Sequence, residues 1–197
     1  GASERASKIS DIPVINAGDG AGQHPTQALL DLYTIKKELG RTDGITLAFV
    51  GDLKYGRAAR SLAYLLGKFD DINMLFVSEP ALKMEDDIKT YLKKNDVKFE
   101  ETDDFAGSLT RADVVYQTRI QKERFASEDD YKQHFGKYVI DRKAADSMHE
   151  GAIIIHPLPR VGEITPEVDD SPHAVYFKQV GYGVMISMAL LKMLLGS

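Results

Sequence analysis

Residues 45–57, Ile45-Thr-Leu-Ala-Phe-Val-Gly51-Asp-Leu-Lys54-Tyr55-Gly56-Arg57, read as a buried strand, a tight glycine turn and the start of a helix. The apolar run up to Val50 does not alternate with polar residues, as expected of a strand covered on both faces. Similar short runs recur at Met74 to Val77, Val114 to Tyr116, Ala152 to Ile155 and Val175 to Phe177, each bounded by Gly, Asp or Pro. Helical spacing fills the intervals: Thr26 to Leu39, Arg57 to Phe69, Glu85 to Asn95, roughly Asp141 to Met148, and Val184 to Leu195. This alternation predicts an α/β fold, a doubly wound, mostly parallel sheet with helices on both faces and a binding crevice beyond the carboxyl ends of the strands. The polar stretch Gln121 to Lys137 is expected to be a long excursion, either solvated surface or a lid.

Composition narrows the function. With 197 residues, 43% of them hydrophobic, the chain suits one large domain or two very small ones. Thirty acidic against twenty-five basic residues give a net charge of -5, so there is no broad basic face of the kind that dominates nucleic-acid affinity. No cysteine is present, which excludes a disulfide framework, a thiolate metal site and a cysteine nucleophile. Val180 to Leu195 is apolar but carries Lys192, and falls short of the roughly 20 apolar residues a membrane span needs. The opening Gly1-Ala-Ser-Glu-Arg has neither an initiator Met nor an apolar run after a basic start. The expectation is a chain without a signal peptide that begins partway into a longer product.

Four clusters carry residues suited to chemistry. In Asn16-Ala-Gly-Asp-Gly-Ala-Gly-Gln-His24-Pro25-Thr-Gln27, a glycine loop meets a helix N-terminus, which attracts an anion or a polarised carbonyl. His24 and Gln27 are then neutral donors at its edge, or His24 is simply a cap. In Gly51-Asp-Leu-Lys54-Tyr55-Gly56-Arg57, two cations sit where the helix dipole disfavours them, unless they face an anion. Arg119 and Gln121 follow the strand ending near Tyr116, two positions apart, so they are able to face one carboxylate or to form an exposed strand end. In His156-Pro157-Leu158-Pro159-Arg160, two prolines free the carbonyls of Pro157 and Leu158 from any ladder, while His156 is as well suited to packing as to function. The histidines lack ligand spacing, and no metal or other cofactor is expected.

Together the four clusters closely resemble the aspartate-binding half of the aspartate carbamoyltransferases, from Asn16-AGDGAGQHPTQALLDLYTI through Gly51-DLKYGR and Thr118-RIQKER to His156-PLPR and Pro172-HAVYFKQ. The sister ornithine carbamoyltransferases typically carry His-Cys-Leu-Pro in place of His156-Pro157-Leu158-Pro159, which favours aspartate as acceptor. The resemblance implies one domain of the two-domain transcarbamoylase fold. The reaction it implies is carbamoyl phosphate plus L-aspartate giving N-carbamoyl-L-aspartate and phosphate, in pyrimidine biosynthesis. His24 and Arg57 are then catalytic; His24, Gln27 and the backbone of Pro157 and Leu158 hold carbamoyl phosphate; and Arg57, Arg119 and Gln121 hold aspartate. Lys54, Tyr55, Glu123 and Arg124 lock domain closure, and the Leu158-Pro159 bond is cis.

The resemblance further implies residues 1–15 as an interdomain segment or N-terminal remnant and residues 16–180 as the aspartate-binding domain. Residues 181–197 form a C-terminal helix that packs on a carbamoyl-phosphate domain. It implies a cytoplasmic homotrimer with sites shared between subunits. Gln117, Arg60 and Gly162 depart from the usual Met, His and acid, but none is a proposed ligand. The family's Ser-Thr-Arg-Thr phosphate loop does not occur in these residues, so the chain alone is expected to be inactive or nearly so. The competing expectation is a non-catalytic module of the same fold that binds an amino acid or anion.

Overall fold

In a computed structural model, the chain is described except at Ala21, Glu123, Arg124, Ala126 and Ser197 and the side chain of Asp130. Five strands form one sheet: β1 (Thr46–Val50), β2 (Asn73–Val77), β3 (Lys98–Thr102), β4 (Val114–Gln117) and β5 (Ile153–Ile155). Their spatial order is β3-β2-β1-β4-β5 and every pairing is parallel. The chain winds outward from β1 to β3, then returns to lay β4 on the other side of β1. The connections leaving β1 and β4 run to opposite faces of the sheet, and a crevice opens at these carboxyl ends.

The unbroken apolar character of β1 has a simple origin: its alternate residues serve two cores. Leu47 and Phe49 join Met74, Phe76, Tyr116 and Ile155 beneath α2 (Pro25–Leu39), α3 (Arg57–Leu66) and α4 (Asp86–Lys94). Ala48 and Val50 join Leu75, Val77, Val115 and Ile154 against α5 (Phe105–Arg111), α7 (Arg142–Asp146) and the start of α8 (Tyr176–Leu195). On the first face, Phe49 lies 5.6 Å from both Phe76 and Tyr116, and Phe76 lies 5.8 Å from Phe99, so an aromatic row crosses four strands. Two short helices, α1 (Ala2–Ser7) and α6 (Glu128–His134), complete the α elements.

The doubly wound expectation holds, and the sheet is wholly parallel. One expected strand does not form. Val175 caps α8 and Tyr176 opens it, although Ala174 still bridges to Ile154 beside β5. The β-branched and aromatic run Val175-Tyr176-Phe177 carried a strand signal, while Gly181 and Gly183 masked the helical period of the first half of α8. The strand β3 escaped notice because Lys-Phe-Glu-Glu-Thr is an edge strand with charges along it. α5 also gave no clear signal; it is short and contains Gly107, whose amide donates to the Asp104 carboxylate that caps the helix, at 2.9 Å. The polar stretch after Gln121, expected as a long excursion, holds α6. Among the described residues, no helix is long and apolar enough to cross a membrane.

Candidate functional site

The turn after β1 is built by steric necessity. Gly51 has φ 110°, and a Cβ there would lie 2.6 Å from the Thr118 carbonyl oxygen, so the β1 and β4 exits approach as closely as two backbones can. The buried Asp52 accepts from the Tyr55 amide at 2.9 Å and closes the turn, which sets Arg57 as the first residue of α3. Its guanidinium reaches back to donate to the Gly20 carbonyl at 2.8 Å, and a Cβ on Gly18 would sit 2.9 Å from it. The glycine loop is therefore shaped around Arg57.

His24 occupies the N-cap position of α2, ahead of Pro25, but its imidazole makes no capping bond. Its backbone amide donates to Ser61 Oγ on α3 at 2.9 Å, which fixes the helix start against its neighbour. Burial, and then the positive charge of Arg57, hold the half-buried imidazole below its ordinary pKa, so it stands as a neutral ring at neutral pH. One turn further, Gln27 Nε2 donates to Asp31 Oδ1 at 2.7 Å. Asp31 is fully buried, and burial pushes its carboxyl up to about 7 despite hydrogen bonding from neighbouring side chains. The same Oδ1 accepts from Gln179 Nε2 at 2.6 Å, and Gln179 Oε1 accepts from the His156 amide at 3.0 Å.

The segment after β5 is held from inside. His156 is buried; its Nδ1 accepts from the Leu158 amide at 2.8 Å, so the proton lies on Nε2, which donates to Glu163 Oε1 at 2.7 Å. Burial pushes the Glu163 carboxyl up, but hydrogen bonds, with His156 foremost, outweigh it and hold the group below the usual carboxylate value. Leu158 has φ 49° and its bond to Pro159 is cis. His156 thus shapes this loop with every polar atom of its ring engaged.

At the end of β4, the amide and hydroxyl of Thr118 both donate to the Val50 carbonyl, at 2.9 and 3.0 Å, which aims the following residues over the β1 turn. One cleft of about 390 Å³ is lined by Gly20, His24, Gln27, Tyr55, Gly56, Arg57, Ala58, Ala59, Thr118, Arg119, Gln121 and residues 156–159. It gathers His24, Gln27, Tyr55, Arg57, Arg119, Gln121, Pro157 and Leu158 from four separate stretches of chain. Lys54 is outside the lining; its ammonium lies 5.2 Å from the Tyr55 ring centre. Glu123 and Arg124 lie outside the described residues. The polar excursion returns to the sheet where His134 and Lys137 pair with Glu79, just beyond β2. Sequence reasoning overlooked Asp31, Ser61, Glu163 and Gln179. For Asp31 a signal existed, a carboxylate on the same helical face as Ala28 and Ile35, four positions after Gln27.

The cleft thus gathers a neutral imidazole, two carboxamides and two guanidinium groups. The model of the aspartate/ornithine carbamoyltransferase Asp/Orn binding domain matches residues 43–194, and that of the carbamoyl-P binding domain matches residues 1–37. A relative from Oryza sativa subsp. japonica, named aspartate carbamoyltransferase, chloroplastic, is 55% identical over 196 residues, covering 99% of this chain and 54% of that protein. The aspartate carbamoyltransferase catalytic subunit of Methanocaldococcus jannaschii is 51% identical over 195 residues, covering 99% of this chain and 63% of its own length.

Solved structures agree. The M. jannaschii aspartate transcarbamoylase catalytic subunit superposes with a TM-score of 0.91 at 50% identity, covering 100% of this chain and 63% of that one. Aspartate transcarbamoylase from Trypanosoma cruzi, in complex with N-(phosphonacetyl)-L-aspartic acid, gives 0.88 at 40% identity, covering 95% of this chain and 61% of that one. The chain spans about half the length of the plant relatives, 54% and 50% for rice and Arabidopsis thaliana. The cytoplasmic placement expected from sequence is corrected, because the rice, Arabidopsis thaliana and Pisum sativum relatives are named chloroplastic. With the Asp/Orn-binding model running from residue 43 to residue 194 over this sheet and cleft, the chain belongs to the aspartate/ornithine carbamoyltransferase family.

Proposed function

We propose that the chain is the aspartate-binding part of an aspartate carbamoyltransferase, which moves a carbamoyl group from carbamoyl phosphate to the α-amine of L-aspartate in pyrimidine biosynthesis. The observation that carries this reading is the convergence of a neutral His24 with Gln27, Arg57, Arg119 and Gln121 in one cleft at the reversal of the sheet. The His24 ring donates to the carbonyl oxygen of carbamoyl phosphate. Gln27 and the backbone of Pro157 and Leu158 hold its NH2 group, and Arg57, Arg119 and Gln121 hold the aspartate carboxylates. The amine attacks the carbonyl carbon, a C–N bond forms and a tetrahedral oxyanion develops. The C–O bond to phosphate then breaks, and the leaving phosphate takes the amine proton. Positioning and charge stabilisation do the catalytic work.

The phosphate grip belongs to a carbamoyl-phosphate domain, against which the exposed Val184, Met188, Leu191 and Leu195 of α8 pack, within a trimer whose sites are shared. Residues 1–15 connect the two domains, residues 16–180 form the aspartate-binding unit and 181–197 the packing helix. Tyr55 and Lys54, with Glu123 and Arg124, hold the domains closed. Aspartate-dependent phosphate release from carbamoyl phosphate tests the proposal, with this chain alone and with the carbamoyl-phosphate half of a relative added. Activity confined to the mixture is expected. Silence in both, with the halves shown to associate, would leave a non-catalytic binding module.

A further inference from the structure

Asp31 takes no part in the reaction as proposed, yet it is buried between the two glutamines that border the cleft and its loop. Its Oδ1 accepts from Gln27 Nε2 on α2 and from Gln179 Nε2 on α8, at 2.7 and 2.6 Å. A carboxylate only accepts, so both NH2 groups must face it and both carboxamide oxygens must face away. For Gln179 that oxygen takes the His156 amide at 3.0 Å and anchors the loop carrying Pro157 and Leu158. Gln27, which lines the cleft, is left presenting an acceptor. The outer oxygen, Asp31 Oδ2, and the Tyr116 hydroxyl are both buried without a partner at hydrogen-bond geometry among the described residues. They are near enough for their charges to couple.

We infer that Asp31 is a positioning residue that sets the polarity of the Gln27 carboxamide and so selects a donor substrate bearing NH2, rather than an isostere bearing CH3, beside the carbonyl. This deepens the proposed function and rests on it. Acetyl phosphate is the natural probe, since it keeps the phosphate and carbonyl and replaces NH2 by CH3. A site that accepts a hydrogen bond from the substrate penalises an analogue unable to donate one, because its own buried acceptor goes unpaired.

The test compares kcat/KM for carbamoyl phosphate and acetyl phosphate in the reconstituted enzyme. Asp31→Leu, which leaves both NH2 groups without an acceptor, is expected to lower the preference for carbamoyl phosphate roughly tenfold. Asp31→Asn is expected to restore it, because its Oδ1 still accepts from both glutamines while its NH2 meets the Tyr116 hydroxyl. A preference unchanged in Asp31→Leu overturns the inference, as does one lost equally in both variants. A wild type without carbamoyl transfer overturns instead the function on which it rests.

If Asp31→Leu fails to fold, the wild type tests the shared acceptor on which the inference stands. Gln27 and Gln179, with Tyr116, are the groups facing this carboxyl, and Tyr116 is the titratable one among them. The carboxamide NH2 resonances of Gln27 and Gln179 are expected to shift together with one midpoint between about pH 5 and about pH 9. Separate midpoints, or none, would remove the shared acceptor.

Discussion

The two walls of the cleft are made differently. The wall formed by α2 and the β5 exit is held by buried and half-buried bonds: His24 to Ser61, Gln27 to Asp31, Gln179 to His156, and His156 to both Leu158 and Glu163. The wall formed by Arg119 and Gln121 follows Thr118, whose amide and hydroxyl both donate to the Val50 carbonyl, and opens the polar excursion. In the proposed reaction, the first wall meets the carbonyl, where charge develops and small errors of placement are costly. The second meets carboxylates that carry the same charge before and after transfer. In that proposed reaction, the wall carrying the Asp31, Gln179 and His156 network faces the atoms where the transition state departs most from the substrate.

This contrast is open to attack at several points. The largest effect is expected for His24→Ala, which removes the donor at the developing oxyanion and should lower kcat by about 10²-fold or more. Steady-state turnover of the reconstituted enzyme measures it, and wild-type turnover would dissolve the difference between the walls. Arg119→Ala should act on binding instead, raising the KM for aspartate by about tenfold or more through loss of charge-assisted bonds, with a smaller change in kcat. An aspartate dependence left unaltered would take Arg119 out of the site.

The smallest effect sharpens the first wall alone. Burial pushes the Asp31 carboxyl from its ordinary 3.8 up to about 7, so the folded state holds the proton more tightly than the unfolded one. Its contribution to stability is complete below about 4, declines as pH rises through the folded value and is flat above it. The melting temperature of Asp31→Asn relative to wild type should therefore climb between about pH 4 and about pH 7. A difference independent of pH would mean that the carboxyl titrates normally.

Most of the cleft was legible because its residues sit at strand ends, where short motifs mark both backbone and chemistry. Gly51 and Gly56 announced the turn, and Arg57 stood out as a cation at the wrong end of a helix. The supporting residues were hidden for the opposite reason. Gln179 lies 148 positions from Asp31, and nothing local in either segment reveals the pairing. The strand expected at Val175 failed because a buried helix start and a buried strand share one composition over so few residues. The edge strand β3 was missed because its charges, useful at an edge, are what a search for buried runs discards.

Those edges also limit how the molecule meets other chains. On one side, β3 presents the exposed Lys98 and Glu100 to solvent. On the other, the Ile154 amide donates to the His173 carbonyl at 2.7 Å and the Val175 amide to the Ile154 carbonyl at 3.1 Å, so the chain covers its own β5 ladder. One border is guarded by charge and the other is already spoken for. Neither border therefore invites a further strand, and the strand exits, with the cleft above them, are the open end of the sheet.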